Sequence, residues 1–355
     1  GVWDVLSNEV LAGLSPLVTM GLGWIGFLFG FQFENKYLQK FPIKYYSFSF
    51  LQFLIMFILV MLIIFPLLKN MYFLERPFHL LGFSIALALL STLNSPTLLS
   101  AVLFQMPRKS MSAYLSRFIV SVSGFWGLLG LALLSSFWNI SLGQNHQTGT
   151  GITRLVLATF LPVLLAFLFS FLTRNKSSPQ ELLVYVIGLV FFCSGLASSF
   201  NLPPLYCGMV LGIVYTNLSK IQEKLYPLLI STEKPMFVVF LILIGAMWRI
   251  YWDEKVVVLI LLLITLRFLI SVLPVAGLAK LLRFPFPYTP EFGFFFISSG
   301  GMGIAFTISI ALMIEHTLIP VFMSAAIFTI LVLELFSPWA IRKALNKMDS
   351  MEKAE

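Results

Sequence analysis

Charge is what this 355-residue chain has least of. Asp, Glu, Lys and Arg together make up 11% of it, against roughly 25% in a soluble domain, which excludes a water-soluble enzyme. Cysteine and histidine are nearly as scarce. Cys193 and Cys207 both sit inside apolar stretches without metal-ligand spacing, which argues against a disulfide framework. His79, His146 and His316 are widely dispersed and fall at the ends of apolar stretches, so no metal site is expected of them. A phosphate-binding loop is missing, which excludes a nucleotide-driven pump; no cofactor and no enzymatic activity are expected. What fills the space is hydrophobic residues, 59% of the chain, with a mean hydropathy of +0.95. The net charge of +8 would suggest nucleic acid in a soluble protein. Here the basic residues stand in short loops between apolar runs, so the partner is a lipid bilayer and not nucleic acid.

Eleven apolar runs cover residues 10–31, 47–68, 79–104, 112–138, 152–173, 181–200, 204–218, 235–251, 255–282, 289–313 and 317–341. Most approach the roughly 20 residues that a membrane helix needs, and none alternates as a barrel strand must. The fold class is therefore an all-α polytopic membrane protein of about eleven helices, forming a single membrane domain over 1–355. The tail 346–355 is polar and is expected to fray. Gly1–Glu9 has neither the basic region nor the apolar core of a signal peptide.

The loops divide by charge. Lys36, Lys40, Lys44, Arg108, Lys109, Arg174, Lys176, Lys220, Lys224, Lys234, Lys280, Arg283, Arg342, Lys343, Lys347 and Lys353 fall on one side, sixteen in all. Lys69, Arg76, Arg154, Arg249 and Lys255 make five on the other. The positive-inside rule then puts the sixteen and the C-terminus in the cytoplasm. An odd number of helices leaves Gly1 outside, so a further helix is expected ahead of it.

Two runs are interrupted near their middles. The third contains Asn94-Ser95-Pro96-Thr97, where Pro96 has no N–H and its ring clashes with the Thr92 carbonyl. The tenth contains Ser298-Ser299-Gly300-Gly301-Met302-Gly303, where three glycines weaken the helix. Runs two to four and nine to eleven start about 205–210 residues apart, each trio with its break in the middle member. Seven runs separate the partners, so the second trio is inverted. Inverted units with paired mid-membrane breaks, predicted to cross near those breaks, are the plan of a secondary transporter.

These segments resemble the membrane domain of the monovalent cation:proton antiporter superfamily, nearest the bacterial branch that includes potassium-efflux antiporters. Gly26-Phe27-Leu28-Phe29-Gly30-Phe31-Gln32-Phe33-Glu34 is similar to the family's early segment. Asn94-Ser95-Pro96-Thr97 is similar to its broken-helix motif, and Glu233-Lys234-Pro235 with Gly245-Ala246 to a later helix. Residues 294–305 resemble the second broken helix, and Glu334-Leu335-Phe336-Ser337-Pro338 the last one. The resemblance implies an elevator-type homodimer in a bacterial inner membrane. Its transport core would be 47–138 and 255–341, its scaffold and dimerisation helices 10–31 and 152–251.

One departure matters. The family places one or two Asp on the helix after the first break, whereas here Ser123 and Gly124 stand there and the whole of run four lacks an acid. Arg267 lies about 18 Å along its helix at 1.5 Å per residue, at a depth where an Arg costs at least roughly 2.5–3.5 kcal/mol and must be paired. The candidate substrate- or ion-binding groups are Asn94, Ser95, Thr97, Ser121, Ser123, Arg267, Ser298 and Ser299, with Pro96, Gly300, Gly301 and Gly303 shaping the breaks. Without an acid beside it, Arg267 would leave the site net positive and hostile to a bare cation. Glu334 is expected to be structural, paired with Arg342 or another base, and is the remaining acid that could serve the site. Three functions stay open: solute or monovalent cation:proton antiport, binding of an anion or polar solute through Arg267, and a non-transporting partner role. Gly26-x-x-x-Gly30 and Gly208-x-x-x-Gly212 are expected to be close-packing surfaces. Single cysteines at Lys40, Arg108, Lys176, Lys224 and Arg283 are expected to resist an impermeant thiol reagent in intact cells; strong labelling of several would refute the eleven-helix topology.

Overall fold

With hydrocarbon around most of the chain, its backbone N–H and C=O groups must pair internally, and helices achieve this within one segment. A computed structural model describes residues 8–104, 111–141, 150–173, 178–218, 222–248, 250–282, 290–314 and 316–352, and every element among them is helical. In chain order they are α1 (Asn8–Phe31), the one-turn α2 (Asn35–Leu38), α3 (Ile43–Met71), α4 (Pro77–Thr92) and α5 (Pro96–Phe104). There follow α6 (Met111–Ser141), α7 (Gly151–Thr173), α8 (Pro179–Ser199), α9 (Pro204–Leu218) and α10 (Gln222–Met247). The last are α11 (Glu254–Leu281), a 3-10 segment (Pro290–Phe296), α12 (Gly300–Met313) and α13 (Ile319–Glu352). The expected loop residues Arg108, Lys109, Arg174, Lys176, Lys220, Arg249, Arg283 and Lys353, and also His146, lie outside the described residues.

Eight of these stretches are long and apolar enough to cross a membrane, the interrupted 77–103 among them; α9, residues 237–246 and α12 are apolar but shorter. Proline explains several starts. Pro77, Pro96, Pro179 and Pro204 each open a helix, where a missing N–H leaves no bond unmade. Large apolar side chains face outward along the long helices: Leu62 on α3, Phe160 and Phe167 on α7, and Leu261 and Leu273 on α11. Surface of that kind on so many helices suits a bilayer. The protein is an all-α polytopic integral membrane protein.

The chain forms two compact units. The first comprises Gly1–Phe41, Leu131–Arg249 and Ile308–Glu315. Its central feature is the seam between α1 and α9, where both small-residue motifs meet. A methyl group at Gly26 would strike the Leu205 carbonyl oxygen, and one at Gly30 the Met209 carbonyl oxygen. From the other side, Gly208 lies on the Gly23 carbonyl and Gly212 on that of Phe27. Lipid tails are as apolar as side chains, so close backbone approach is what holds such a pair together. Asn217 ties the ends: its Nδ2 donates to the Phe33 carbonyl at 2.9 Å, and its Oδ1 accepts from Asn35 N–H at 2.7 Å. Cys193 and Cys207 are both buried free thiols, as their apolar settings suggested.

The second unit comprises Pro42–Gly130, Ile250–Thr307 and His316–Glu355. Within it α11 packs on α3, α13 and the 3-10 segment, and α13 also meets α4 and α5. Gly293 lets the 3-10 backbone settle on Ser271 and Val272 of α11, where a side chain would strike main chain. Two expectations need correction here. The first half of run ten is a seven-residue 3-10 turn and not an α-helical half. The tail from Asn346 does not fray at once: α13 runs on to Glu352, because Ala344, Leu345 and Met348 carry an apolar stripe that is buried. Lys347 Nζ also reaches Glu291 Oε1 at 3.2 Å.

Gly26→Leu and Gly208→Leu are each expected to destabilise the first unit by about 1–3 kcal/mol through overpacking, seen as a lower melting temperature in detergent. Gly188→Leu and Gly195→Leu, whose added side chains start in open space, are expected to leave it unchanged.

Candidate functional site

Both interruptions lie in the second unit, and they meet. After Thr92 the chain leaves α4, and Leu93 adopts an extended conformation; at Pro96 it re-enters a helix as α5. After Phe296 the 3-10 segment ends, and Gly300, at φ +55°, opens α12. That left-handed conformation strains any residue with a Cβ, and a Cβ there would also crowd Thr97 and Ser95. Ser95 N–H donates to the Ser298 carbonyl at 3.2 Å, so one main-chain bond joins the two breaks directly. Pro96 and Gly300 thus do what their chemistry predicted.

Breaking a helix frees its last carbonyls, and in a dry setting each orphan is costly. Arg267, 2% exposed on α11, collects them. Its Nε donates to the Ile297 carbonyl at 2.8 Å, Nη1 to Leu90 at 2.7 Å, and Nη2 to Leu93 at 2.6 Å. Nη2 also lies 3.3 Å from Asn94 Oδ1. The planar guanidinium, with donors in fixed directions, suits this convergence of acceptors from two chain segments. Asn94 continues the network: its Nδ2 donates at 2.9 Å to both the Thr92 carbonyl, which Pro96 had freed, and Ser123 Oγ on α6. Ser123, standing where an acid was expected, is therefore a buried acceptor for Asn94.

Glu334 on α13 departs most from expectation. Its partners are at the second break and not the expected Arg342: Ser298 Oγ donates to it at 2.9 Å, and Gly300 N–H at 2.6 Å. A carboxylate at the first turn of α12 also faces the positive end of the helix dipole. Glu334 thus brings an acid to the second break, the same break whose Ile297 carbonyl accepts from Arg267. An acid inside an apolar run has to be paired, and the expectation of a structural Glu334 rests on that ground; what sequence alone could not show was its partner.

The remaining candidates divide. Ser95 Oγ and Thr97 Oγ1 are 2.9 Å apart at the head of α5, with Thr97 exposed. Ser299 is buried at 1% exposure, and no group among the described residues hydrogen-bonds its hydroxyl. It shares this with the hydroxyls of Thr216, Ser309 and Thr329, and differs from them in standing at a break. Gly301 lies in the first turn of α12, and the Gly303 carbonyl accepts from Thr307 Oγ1. Ser121 donates to the Arg117 carbonyl one turn back, at 2.9 Å, and makes no described bond to either break. Outside the site, the histidines are corrected as well. His79 and His316, which looked dispersed, stand with ring nitrogens 2.8 Å apart. Burial lowers the His316 imidazole from its ordinary value, against the opposing pull of Glu75, with His79 adding to the lowering.

Set beside known proteins, the chain matches no family model and no curated protein.

Arg267→Ala would remove a partner from three buried carbonyls, of which that of Leu90 alone keeps another described bond, from Leu93 N–H, and is expected to cost about 3–5 kcal/mol, the usual range for breaking a buried charged network. Arg267→Lys should recover only part, since an ammonium cannot match the fork. Thermal unfolding in detergent checks both, and a wild-type melting temperature for Arg267→Ala would show that the guanidinium is not what joins the breaks.

Proposed function

We propose that the protein is a secondary active transporter on the cation:proton antiporter plan, exchanging a monovalent cation or small solute for protons. The observation that carries this is the meeting of two interrupted segments, the second of which holds a carboxylate, Glu334, and a buried hydroxyl without a partner among the described residues, Ser299. Unwound backbone deep in a membrane is tolerated where it lines a binding site. In this reading Glu334 takes the part that the missing acid of α6 would play. As a carboxylate it ligates a cation together with the Ser298 and Ser299 hydroxyls; once protonated it releases the cation, so the two ligands compete for one group. Arg267 keeps the broken segments together, and Asn94 and Ser123 brace it.

The division into two units supports an elevator mechanism in which the unit bearing the breaks is the moving core. The first unit would be the scaffold and the surface of a homodimer. Eleven spans, a cytoplasmic C-terminus and a bacterial inner membrane belong to the same proposal, supported by the sixteen-to-five split of loop charge. Binding of an anion through Arg267 loses ground, because four protein oxygens already face its donors.

Reconstituted protein is expected to dissipate a pH gradient on addition of K⁺ or Na⁺, saturably. Glu334→Gln keeps the shape and removes the titratable group, and should reduce exchange at least about 100-fold, the usual scale for losing a proton-transferring group. Ser123→Asp in the Glu334→Gln background tests whether the familiar acid position can take over. Exchange untouched by Glu334→Gln, or anion-dependent flux with no cation dependence, would overturn the assignment.

A further inference from the structure

Away from the breaks, the second unit gathers three metal-ligating side chains that no part of the transport proposal uses. Glu75 precedes α4, His79 lies in its first turn, and His316 stands just ahead of α13. Their ligand atoms all lie within 4.8 Å of one another. His316 Nε2 is 2.8 Å from His79 Nδ1 and 3.7 Å from Glu75 Oε2. None of the three is fully buried, and the Glu75 side chain keeps 30% of its surface exposed, so an ion in water has a way in. We propose that Glu75, His79 and His316 form a binding site for a divalent transition-metal ion of the Zn²⁺ class, which joins the start of α4 to the start of α13.

The ligand set selects the ion. Two imidazoles and one carboxylate form a recognised zinc set, with a fourth position open to water. Ca²⁺ and Mg²⁺ demand mostly oxygen, whereas imidazole suits Zn²⁺, Ni²⁺ and Cu²⁺. The spacing is close to what is needed. Two nitrogens on one tetrahedral Zn²⁺ stand about 3.3 Å apart, so the two rings must part by only about half an ångström. The Glu75 oxygen is already at a suitable distance.

The surroundings also supply the outer partners that such ligands need. Leu318 N–H donates to His316 Nδ1 at 3.2 Å, which leaves the proton of the neutral ring on Nε2, donated to His79. Metal binding at Nε2 requires that proton to move to Nδ1, with no net loss. There Thr317 Oγ1, 3.5 Å away, accepts it in place of the Leu318 contact. Thr317 in turn donates to Glu75 Oε1 at 3.2 Å, so one hydroxyl orients two ligands. The Phe83 ring, 5.2 Å from that of His316, walls one side of the cluster.

The test is equilibrium titration of the full, tag-free chain in detergent with Zn²⁺, in competition with a chromogenic chelator. One Zn²⁺ per chain is expected, unaffected by millimolar Ca²⁺. Glu75→Gln and His316→Gln should each weaken it at least about 100-fold, above the 10–100-fold typical of an outer-shell partner. Glutamine keeps a hydrogen-bonding side chain at each position. A readout that needs no variant is the zinc X-ray absorption spectrum of the wild type, expected to show two imidazoles, oxygen and no sulfur. Absence of stoichiometric binding, sulfur in the shell, or undiminished affinity in Glu75→Gln/His79→Gln/His316→Gln would overturn the site.

Discussion

A helix broken in a setting without water leaves carbonyls that nothing nearby can satisfy, and the second unit is organised around Arg267's answer to that problem. Its guanidinium reaches two carbonyls where α4 runs into the first break and one ahead of the second. The breaks require the arginine, since the freed carbonyls would otherwise go unpaired. The arginine equally requires the breaks, since a buried cation at that depth needs several acceptors. Glu334 closes the arrangement from α13 by accepting from the first N–H of α12. Interrupted backbone, cation and carboxylate form one interdependent structure.

The two units hold together by different means. In the first, α1 and α9 approach until backbone touches backbone, which only glycine at positions 26, 30, 208 and 212 allows. In the second, the contact between interrupted segments is polar and directional, with one main-chain bond and a fan of side-chain bonds. Beside it stand the Ser299 hydroxyl, with no hydrogen-bond partner among the described residues, and the half-buried Glu334 carboxylate.

Much of this was legible along the chain. The positions of both breaks, the burial of Arg267 and the need to pair it, and the tight use of the glycine motifs all follow from local chemistry. A proline without an N–H, an arginine in hydrocarbon, and glycines four apart each carry their meaning with them. Glu334 shows the limit of such reasoning. It was visible as an acid in an apolar run, yet Arg342 on the same helix was the natural partner to expect, because sequence distance is the only distance a sequence provides. Ser123 shows the converse, since its place in the network depends on Asn94, 29 residues away.

What the sequence alone determined is therefore whatever one segment's own chemistry imposes: helices in a membrane, where they stop, and which side chains cannot be left unsatisfied. Tertiary structure decided which groups satisfy one another. His79 and His316 stand 237 residues apart in the chain and 2.8 Å apart in space, and Ser298 meets Glu334 across 36. Hydropathy and helix propensity are short-range properties and leave no trace of such pairings. Those depend on which helix faces pack together, and that is settled only when every buried polar group in the unit finds its partner at once.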